Sequence, residues 1–141
     1  DAFVKLSRSG EVELDVADCP DLVPPLAAMA AVREGTARIV HAARLRIKES
    51  DRLAAVTTAM NALGAQIEEL SDGLVIRGVE TLRGGVSVDA CNDHRIAMMT
   101  AVAATRCTQP VTITGAECVK KSYPNFWEDY EMLGGVITRE G

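Results

Sequence analysis

Ionisable side chains are concentrated in four short segments of this 141-residue chain, and their types are suited to binding a small anion. The segments are DCPD (18–21), KESDR (48–52), CNDHR (91–95) and CVKKSYP (118–124). Arginine offers a planar fork that matches carboxylate or phosphate, and lysine offers a point charge. The sequence therefore predicts that a strongly anionic substrate binds to four cations: Lys48, Arg52, Arg95 and Lys121. Each of them alone could equally be a surface cation or half of a salt bridge.

Two acids lie among those cations and are suited to moving protons. Asp21 and Glu49 are candidates to accept a proton from an attacking hydroxyl or to pass one to a carbon centre. The alternatives are structural: Asp21 could cap the following helix, and Glu49 could form a salt bridge with Lys48 or Arg52. His94 is a candidate general acid, or a histidine that hydrogen-bonds at a helix start.

The pattern of apolar residues predicts strands and helices that place the four segments at equivalent positions. Strands are predicted at 11–16, 35–42, 65–70, 74–78, 84–90 and 110–115, and helices at 22–34, 50–64, 92–106 and 123–135. Each charged segment then lies between a strand and a helix, or opens the helix. Ligands of open α/β folds bind at such junctions, where helix N-termini offer unpaired N–H groups. Cations are mildly disfavoured there unless an anion is bound, so their recurrence favours a binding site.

Cap residues predict where two of these helices begin and end. Ser50 is the predicted N-cap of helix 50–64, and Gly64 is its predicted C-cap. Asn92 or Asp93 is the predicted N-cap of the next helix.

The order of the predicted elements indicates a duplicated α/β architecture in one domain. Residues 11–77 follow the order β-α-β-α-β-β, and residues 85–138 follow the order β-α-β-α-β, with no linker between them. The last two strands of 11–77 flank Ser-Asp-Gly, which predicts a β-hairpin.

Composition and missing motifs argue against several function classes. The formal net charge of −5 argues against a nucleic-acid binder, and no apolar run is long enough to span a membrane. Four widely spaced cysteines form no C-x-x-C pair, and with only two histidines they argue against a metal site. Reduced cysteines are typical of a cytoplasmic protein. The nucleotide-binding loop motifs and the hydrolase elbow G-x-S-x-G are absent from the sequence.

Four sequence blocks, taken together, resemble the 5-enolpyruvylshikimate-3-phosphate (EPSP) synthase family. The blocks are DCPDLVPPLAAMAA (18–31), RLRIKESDRL (44–53), CNDHRIAMM (91–99) and CVKKSYPNFWEDY (118–130). The resemblance implies the enolpyruvyl transferase fold, an inside-out α/β barrel with two domains of three β-α-β-α-β-β units each. It also implies that residues 1–141 form only part of the C-terminal domain, with the N-terminal domain absent. The family transfers the carboxyvinyl group of phosphoenolpyruvate to the 5-hydroxyl of shikimate 3-phosphate, releases phosphate, needs no cofactor and is the target of glyphosate.

The resemblance further implies a role for each candidate residue. Asp21 resembles the family's acceptor for the proton of the attacking hydroxyl, and Glu49 the acid that handles the proton on the phosphoenolpyruvate methylene carbon. Lys48 matches a contact to shikimate 3-phosphate. Phosphoenolpyruvate would be held by three cations, with His94 beside them: Arg52, Arg95 and Lys121.

Two departures from the family pattern shape what we expect of this chain. Some members carry asparagine where Arg44 stands, so the resemblance assigns no contact to Arg44. The family's N-terminal phosphate-binding blocks are missing, so the chain carries part of the active site and we expect it to be inactive alone. The first residue is Asp1 rather than Met, which suggests a piece of a longer protein. The resemblance implies a cytoplasmic monomer.

Two other functions are compatible with the charged segments. The first is a related enolpyruvyl transferase that uses UDP-N-acetylglucosamine, although KESDR and NDHR argue against it. The second is a non-catalytic module that binds anions, which loss of Asp21 or Glu49 would have favoured.

Overall fold

The computed structural model describes residues 2–139, so the chain start at Asp1 lies outside the described residues. The helices are α1 (Ala2–Leu6), α2 (Val23–Ala30), α3 (Arg52–Leu63), α4 (His94–Ala104) and α5 (Phe126–Met132). The strands are β1 (Val12–Asp15), β2 (Thr36–Val40), β3 (Gln66–Glu69), β4 (Leu74–Arg77), β5 (Leu82–Gly84), β6 (Ser87–Asp89), β7 (Cys107–Gln109) and β8 (Thr112–Thr114). Short 3₁₀ segments cover Pro20–Leu22, Ala43–Ile47 and Ala116–Lys121. Within this range, every helix is too short or too polar to cross a membrane.

The first unit (residues 11–77) forms one four-stranded sheet and confirms the predicted order β-α-β-α-β-β. The strands lie in the order β1-β2-β4-β3, with β1 parallel to β2 and the other two pairs antiparallel. Ala37 of β2 faces Ile76 of β4, which in turn faces Ile67 of β3, so these apolar side chains share one face. Alternate residues on the central strand are buried, as Ala37 and Ile39 are, whereas Arg38 between them is exposed. The sheet therefore has one core face.

Two helices cover that core face, and a third packs on them. α2 and α3 pack on the sheet, and α4 packs against both of them. The two prolines of α2, Pro24 and Pro25, lie in its first turn, where no intrahelical N–H partner is lost. Gly64 ends α3 with φ of 112°, a left-handed conformation that glycine adopts without a Cβ clash, and confirms the predicted C-cap. The helices and sheet enclose one large apolar cluster that includes Leu26, Met60 and Ile96.

The second unit (residues 82–132) contains strands that form two separate pairs. β5 is parallel to β7, and β6 is parallel to β8, where Val88 faces Ile113. The predictions for β6, α4, β8 and α5 are confirmed, whereas β5 and β7 were not predicted, because neither three-residue strand has a recognisable period. The prediction of a strand at the end of residues 85–138 is wrong. Residues 135–139 have no regular structure, since no described strand lies beside them to complete a ladder.

Candidate functional site

The start of α3 brings charged side chains to the end of β2. Asp51 is the N-cap, and its carboxylate accepts a hydrogen bond from the backbone N–H of Ala54 at 3.2 Å. The prediction that Ser50 caps this helix is therefore wrong. Asp51 competes successfully because a carboxylate accepts strongly from helix N–H groups. Ser50 instead donates its hydroxyl to Asp93 at the start of α4, 2.8 Å away, and so joins the two helix starts.

Arg52, the first residue of α3, is the centre of the charged cluster. Its side chain is only 2% exposed, and three carboxylates surround it. Nε donates to Asp93 at 2.8 Å, Nη1 donates to Asp21 at 2.9 Å, and Nη2 donates to both Glu49 and Asp93. A guanidinium has five N–H donors, and these four hydrogen bonds use four of them, on Nε and both terminal nitrogens. Arg52 therefore joins residues from three βα junctions.

Asp93 and Arg52 keep each other charged inside the protein. Burial disfavours the ionised form of Asp93, but hydrogen bonds from Arg52 and Ser50 outweigh burial, so the pKa of Asp93 lies below its ordinary value. Burial likewise opposes the charged form of Arg52. The hydrogen bonds to Asp93 and the charges of Asp93, Glu49 and Asp21 outweigh it, so the pKa of Arg52 is raised. The pair is ionic at neutral pH.

Asp21 lies where three cations converge. Its carboxylate is 2.9 Å from Arg52, 3.5 Å from the Lys48 ammonium and 3.8 Å from the Arg95 guanidinium. The alternative that Asp21 caps α2 is wrong, because the N-cap of α2 is Leu22 and it makes no side-chain capping bond. Asp21 is 47% exposed and thus faces both the cations and solvent. Electrostatic attraction, and not the start of α2, fixes this carboxylate.

Glu49 also faces solvent while it contacts Arg52. The ion pair between Glu49 and Arg52 is present, as the structural alternative expected, and Glu49 is 43% exposed. One oxygen of Glu49 is thereby directed at the guanidinium, and the rest of the carboxyl is accessible. The ion pair does not exclude a role for Glu49 in proton transfer.

Lys121 and His94 lie next to the cluster. Lys121 donates to the backbone carbonyl of Asn92 at 2.7 Å, which ties the end of the segment Ala116–Lys121 to the residue before the α4 N-cap. Cys91 and Asn92 both have left-handed backbone conformations, with φ of 56° and 52°, and such strain is commonest at functional sites. His94 is 8% exposed, and its Nδ1 atom has no hydrogen-bond partner among residues 2–139.

Two residues of the cluster were missed as site residues from the sequence. Asp93 was identified only as a possible cap, and Ser50 only as a cap of α3. Asp93 does cap α4, because it accepts from the N–H of Arg95 at 3.0 Å, but its carboxylate also holds Arg52. An available signal was that Asp93 and Arg52 both lie at helix starts, one in each unit. Arg46, from the same charged stretch, pairs instead with Asp51 and Glu69 and faces away from this cluster's carboxylates.

The cluster has the composition of an anion-binding surface. Three cations contact three carboxylates, namely Lys48, Arg52 and Arg95 with Asp21, Glu49 and Asp93, and Lys121 lies beside them on the Asn92 carbonyl. The buried pair fixes the centre, while the partly exposed groups around it are free to exchange partners. Within residues 2–139, histidine, cysteine and carboxylate side chains form no group of three suited to a metal ion.

The chain is similar to known proteins over most of its length. The family model of EPSP synthase (3-phosphoshikimate 1-carboxyvinyltransferase) matches residues 5–130. The 3-phosphoshikimate 1-carboxyvinyltransferase of Clostridium kluyveri is 56% identical over 134 residues, which are 95% of this chain and 31% of that protein. The protein of the same name from Clostridium acetobutylicum is 57% identical over 133 residues, 94% of this chain and 31% of that protein.

Solved structures agree with these relatives. An EPSP synthase from Acinetobacter baumannii is 34% identical with a TM-score of 0.81, over 87% of this chain and 29% of that one. The enolpyruvyl transferase NikO from Streptomyces tendae has a TM-score of 0.73 at 23% identity over 93% of this chain and 29% of that one, and so shows the shared fold. The chain spans about a third of the length of these proteins. By sequence and by fold, it belongs to the EPSP synthase (3-phosphoshikimate 1-carboxyvinyltransferase) family.

Proposed function

We propose that this chain is the C-terminal part of a longer EPSP synthase, called the parent protein below, and that it forms one wall of the active site. The parent would transfer the carboxyvinyl group of phosphoenolpyruvate to the 5-hydroxyl of shikimate 3-phosphate and release phosphate. The observation that carries this proposal is the buried guanidinium of Arg52, which has two partly exposed acids, Asp21 and Glu49, on its outer edge. Cations for two anionic substrates and two proton-handling acids thus lie within one cluster.

The reaction requires two proton transfers, and the two exposed acids are proposed to make them. The hydroxyl oxygen attacks C2 of phosphoenolpyruvate while its proton moves to Asp21 and a proton is delivered to the methylene carbon from Glu49. The resulting tetrahedral species carries both carboxylate and phosphate. Phosphate then leaves with the proton held by Asp21, and return of a methyl proton to Glu49 regenerates the double bond and the starting forms of both acids. Lys48 and Arg95 support this role because they lie 3.5 and 3.8 Å from the Asp21 carboxylate, where they would also attract the negative charge of the substrates.

Binding of a substrate carboxylate would change the partners of Arg52. In the structure, Nη1 and Nη2 of Arg52 donate to Asp21 and Glu49, so an incoming carboxylate that bridges these two nitrogens has to displace at least one of the contacts. Arg95 and Lys121, from the second unit, would hold the remaining charge of phosphoenolpyruvate.

The proposal also includes a role for the N-terminal region of the parent protein. The N-terminal region of the parent would supply most of the shikimate 3-phosphate site, so the 141-residue chain alone is expected to release no phosphate. The parent is proposed to be a cytoplasmic enzyme that needs no cofactor. It is also proposed to be a monomer, and its mass in solution, measured by light scattering, would test this.

Phosphate release by the parent protein tests the function directly. Phosphoenolpyruvate is supplied with shikimate 3-phosphate, or with UDP-N-acetylglucosamine as the competing acceptor. Release with shikimate 3-phosphate but not with UDP-N-acetylglucosamine supports the proposal. Release only with the sugar nucleotide would replace it with the related transferase, and no release with either would favour an anion-binding module.

Variants of the two acids test the assignment of roles. Asp21→Asn and Glu49→Gln in the parent are each expected to lower kcat by about 10²–10⁴-fold, which is typical for loss of a general acid or base. Asp18→Asn is the matched control, because Asp18 is an exposed acid in the same loop. A kcat for either acid variant equal to that of the control would remove that residue from the proton transfers.

A further inference from the structure

The guanidinium of Arg52 has two edges that differ in what holds them. The inner edge, formed by Nε and Nη2, meets both carboxylate oxygens of Asp93 at 2.8 and 3.2 Å. The outer contacts go to Asp21 and Glu49, which are 47% and 43% exposed, whereas Asp93 is completely buried. Exposed partners exchange readily with solvent and ligands, and a buried two-point contact does not. The inner edge is therefore the fixed one.

Asp93 is itself held by contacts from two helix starts. It accepts from the Ser50 hydroxyl at 2.8 Å and from the Arg95 backbone N–H at 3.0 Å, in addition to Arg52. It is the N-cap of α4, a helix whose next residues are packed in the apolar interior, Ile96 among them. Lys121 fixes the preceding residue, Asn92, through its carbonyl. The carboxylate that orients Arg52 is thus anchored to elements of both units.

We propose that Asp93 is a positioning residue, which sets the plane and direction of the Arg52 guanidinium so that its outer edge meets a substrate carboxylate. This inference rests on the proposed function, in which Arg52 holds the carboxylate of phosphoenolpyruvate. An arginine side chain has several rotatable bonds, and two-point carboxylate recognition requires the planar fork to be directed within about 10–20° of the productive orientation. Asp93 removes that freedom from the side opposite the ligand, where it does not compete with the substrate.

Capping of α4 alone does not explain the identity of Asp93. Asparagine caps helices as well as aspartate does, so a purely capping residue tolerates Asn. Asparagine has only one acceptor oxygen and no charge, so it cannot present one oxygen to Nε and a second to Nη2 of a buried guanidinium. The Asp93→Asn variant thus separates the two roles: it retains the cap and removes the two-point, charged contact to Arg52.

The experiment compares steady-state kinetics of the parent protein and two variants, with each substrate varied in turn. Asp93→Asn is expected to raise the KM for phosphoenolpyruvate by more than about tenfold, and kcat/KM should fall on the order of 100-fold, the effect typical of a misplaced binding group. The KM for shikimate 3-phosphate should change less than about twofold, because a local misalignment of Arg52 affects one ligand. Asp51→Asn is the matched control: it makes the same substitution at the cap of α3, without a contact to Arg52.

Each outcome decides between positioning and a purely structural role. Unchanged KM for phosphoenolpyruvate in Asp93→Asn, or an equal rise in both KM values, overturns the inference. If Asp93→Asn does not fold, Asp93→Glu decides, because it keeps the buried charge paired but moves the carboxylate by one methylene. A raised KM for phosphoenolpyruvate in Asp93→Glu supports positioning, and a wild-type value overturns it. Failure of the unmodified parent to turn over would instead refute the proposed function, so the two failures are distinguishable.

Discussion

The two units of the chain repeat a similar order of elements but differ in how completely they are packed. In the first unit, Ile39, Leu74 and Ile76 are inaccessible to solvent within a four-stranded sheet. In the second unit the strands form two short pairs, and Ile113 of β8 is only partly buried. The compact apolar cluster there consists of four small or medium residues, Ala90, Ala97, Cys118 and Val119.

The helix α4 explains how a sparsely packed unit still positions charged groups well. Its residues Ile96, Met99 and Ala103 belong to the large core of the first unit, and α4 packs on α2 and α3. The start of α4 carries Asp93 and Arg95 and is thereby fixed by the first unit more than by its own strands. A site at strand ends therefore depends on how its helices pack. Repeating the order of strands and helices does not by itself provide that packing.

Removing Arg52 should give the largest effect, because this side chain links the two units. Arg52→Ala leaves Asp93 buried without its cation, and truncating one partner of a buried ion pair typically costs about 3–5 kcal/mol in the free energy of unfolding. Urea denaturation of the chain measures this cost. Arg44→Ala, at an exposed position in the preceding segment, is the control and should cost less than about 0.5 kcal/mol. Equal costs for the two variants would show that the link contributes nothing to stability.

Truncating one isoleucine in each unit compares their packing directly. Ile76→Ala in β4 removes a fully buried side chain and should lower the free energy of unfolding by about 2–5 kcal/mol. Ile113→Ala in β8 removes a partly buried side chain, and about 1 kcal/mol is expected because less apolar area returns to water. Both values come from the same denaturation assay. A larger cost at Ile113 than at Ile76 would contradict the difference in packing.

The same contrast explains how far the sequence alone predicts this molecule. The strands and helices of the first unit were all predicted, because its strands alternate buried and exposed residues and Gly64 is a recognisable C-cap, but its two 3₁₀ segments were not. The second unit was predicted less well, since β5 and β7 are too short for a period to be detected, and the expected strand at its end has no neighbour.

Site residues show a related limit of sequence reasoning. Strand ends and helix starts meet at one edge of the fold, so one network of ion pairs joins five of the predicted residues: Asp21, Lys48, Glu49, Arg52 and Arg95. The inner partner of Arg52 was missed, because a residue that serves as a cap has a sufficient local explanation, and its contact with a residue 41 positions away depends on helix packing. Ser50 was assigned to the wrong partner for the same reason, since its hydroxyl bonds across to α4 rather than to its own helix.

Acidification should affect the two units to different extents. The pKa of Asp93 is lowered in the folded state, so its contribution to stability is present above about pH 4 and is lost as the pH falls below the unfolded-state value. The stability gap between wild type and Asp93→Asn should therefore be constant from neutral pH to about pH 4, and should close as the pH falls further, through the lowered folded-state pKa. Asp15 in the first unit also has a lowered pKa, due to the Ala17 N–H and His41, but it is exposed, so Asp15→Asn should show a smaller gap. Thermal unfolding across the pH range tests this, and a gap for Asp93→Asn that stays constant below about pH 4 would refute it.

Two arginines near the surface should give the smallest effects, and they differ in how many contacts hold them. Arg46 in the first unit pairs with Asp51 and Glu69, and it also donates to the backbone carbonyl of Leu70, which joins the β3–β4 loop to the start of α3. Its side chain is 28% exposed, and Arg46→Gln is expected to cost about 0.5–1 kcal/mol, the upper range for such pairs. Arg139 lies 3.8 Å or more from two glutamates and is 65% exposed, so Arg139→Gln should be close to neutral. Denaturation in low and high salt separates the cases: only the Arg46 effect should persist in salt, because its carbonyl contact is not an ion pair. If the stability cost of Arg46→Gln also disappears in high salt, ion pairs alone hold the β3–β4 loop to the start of α3. The carbonyl contact of Arg46 would then not stabilise the segment that carries Lys48 and Glu49.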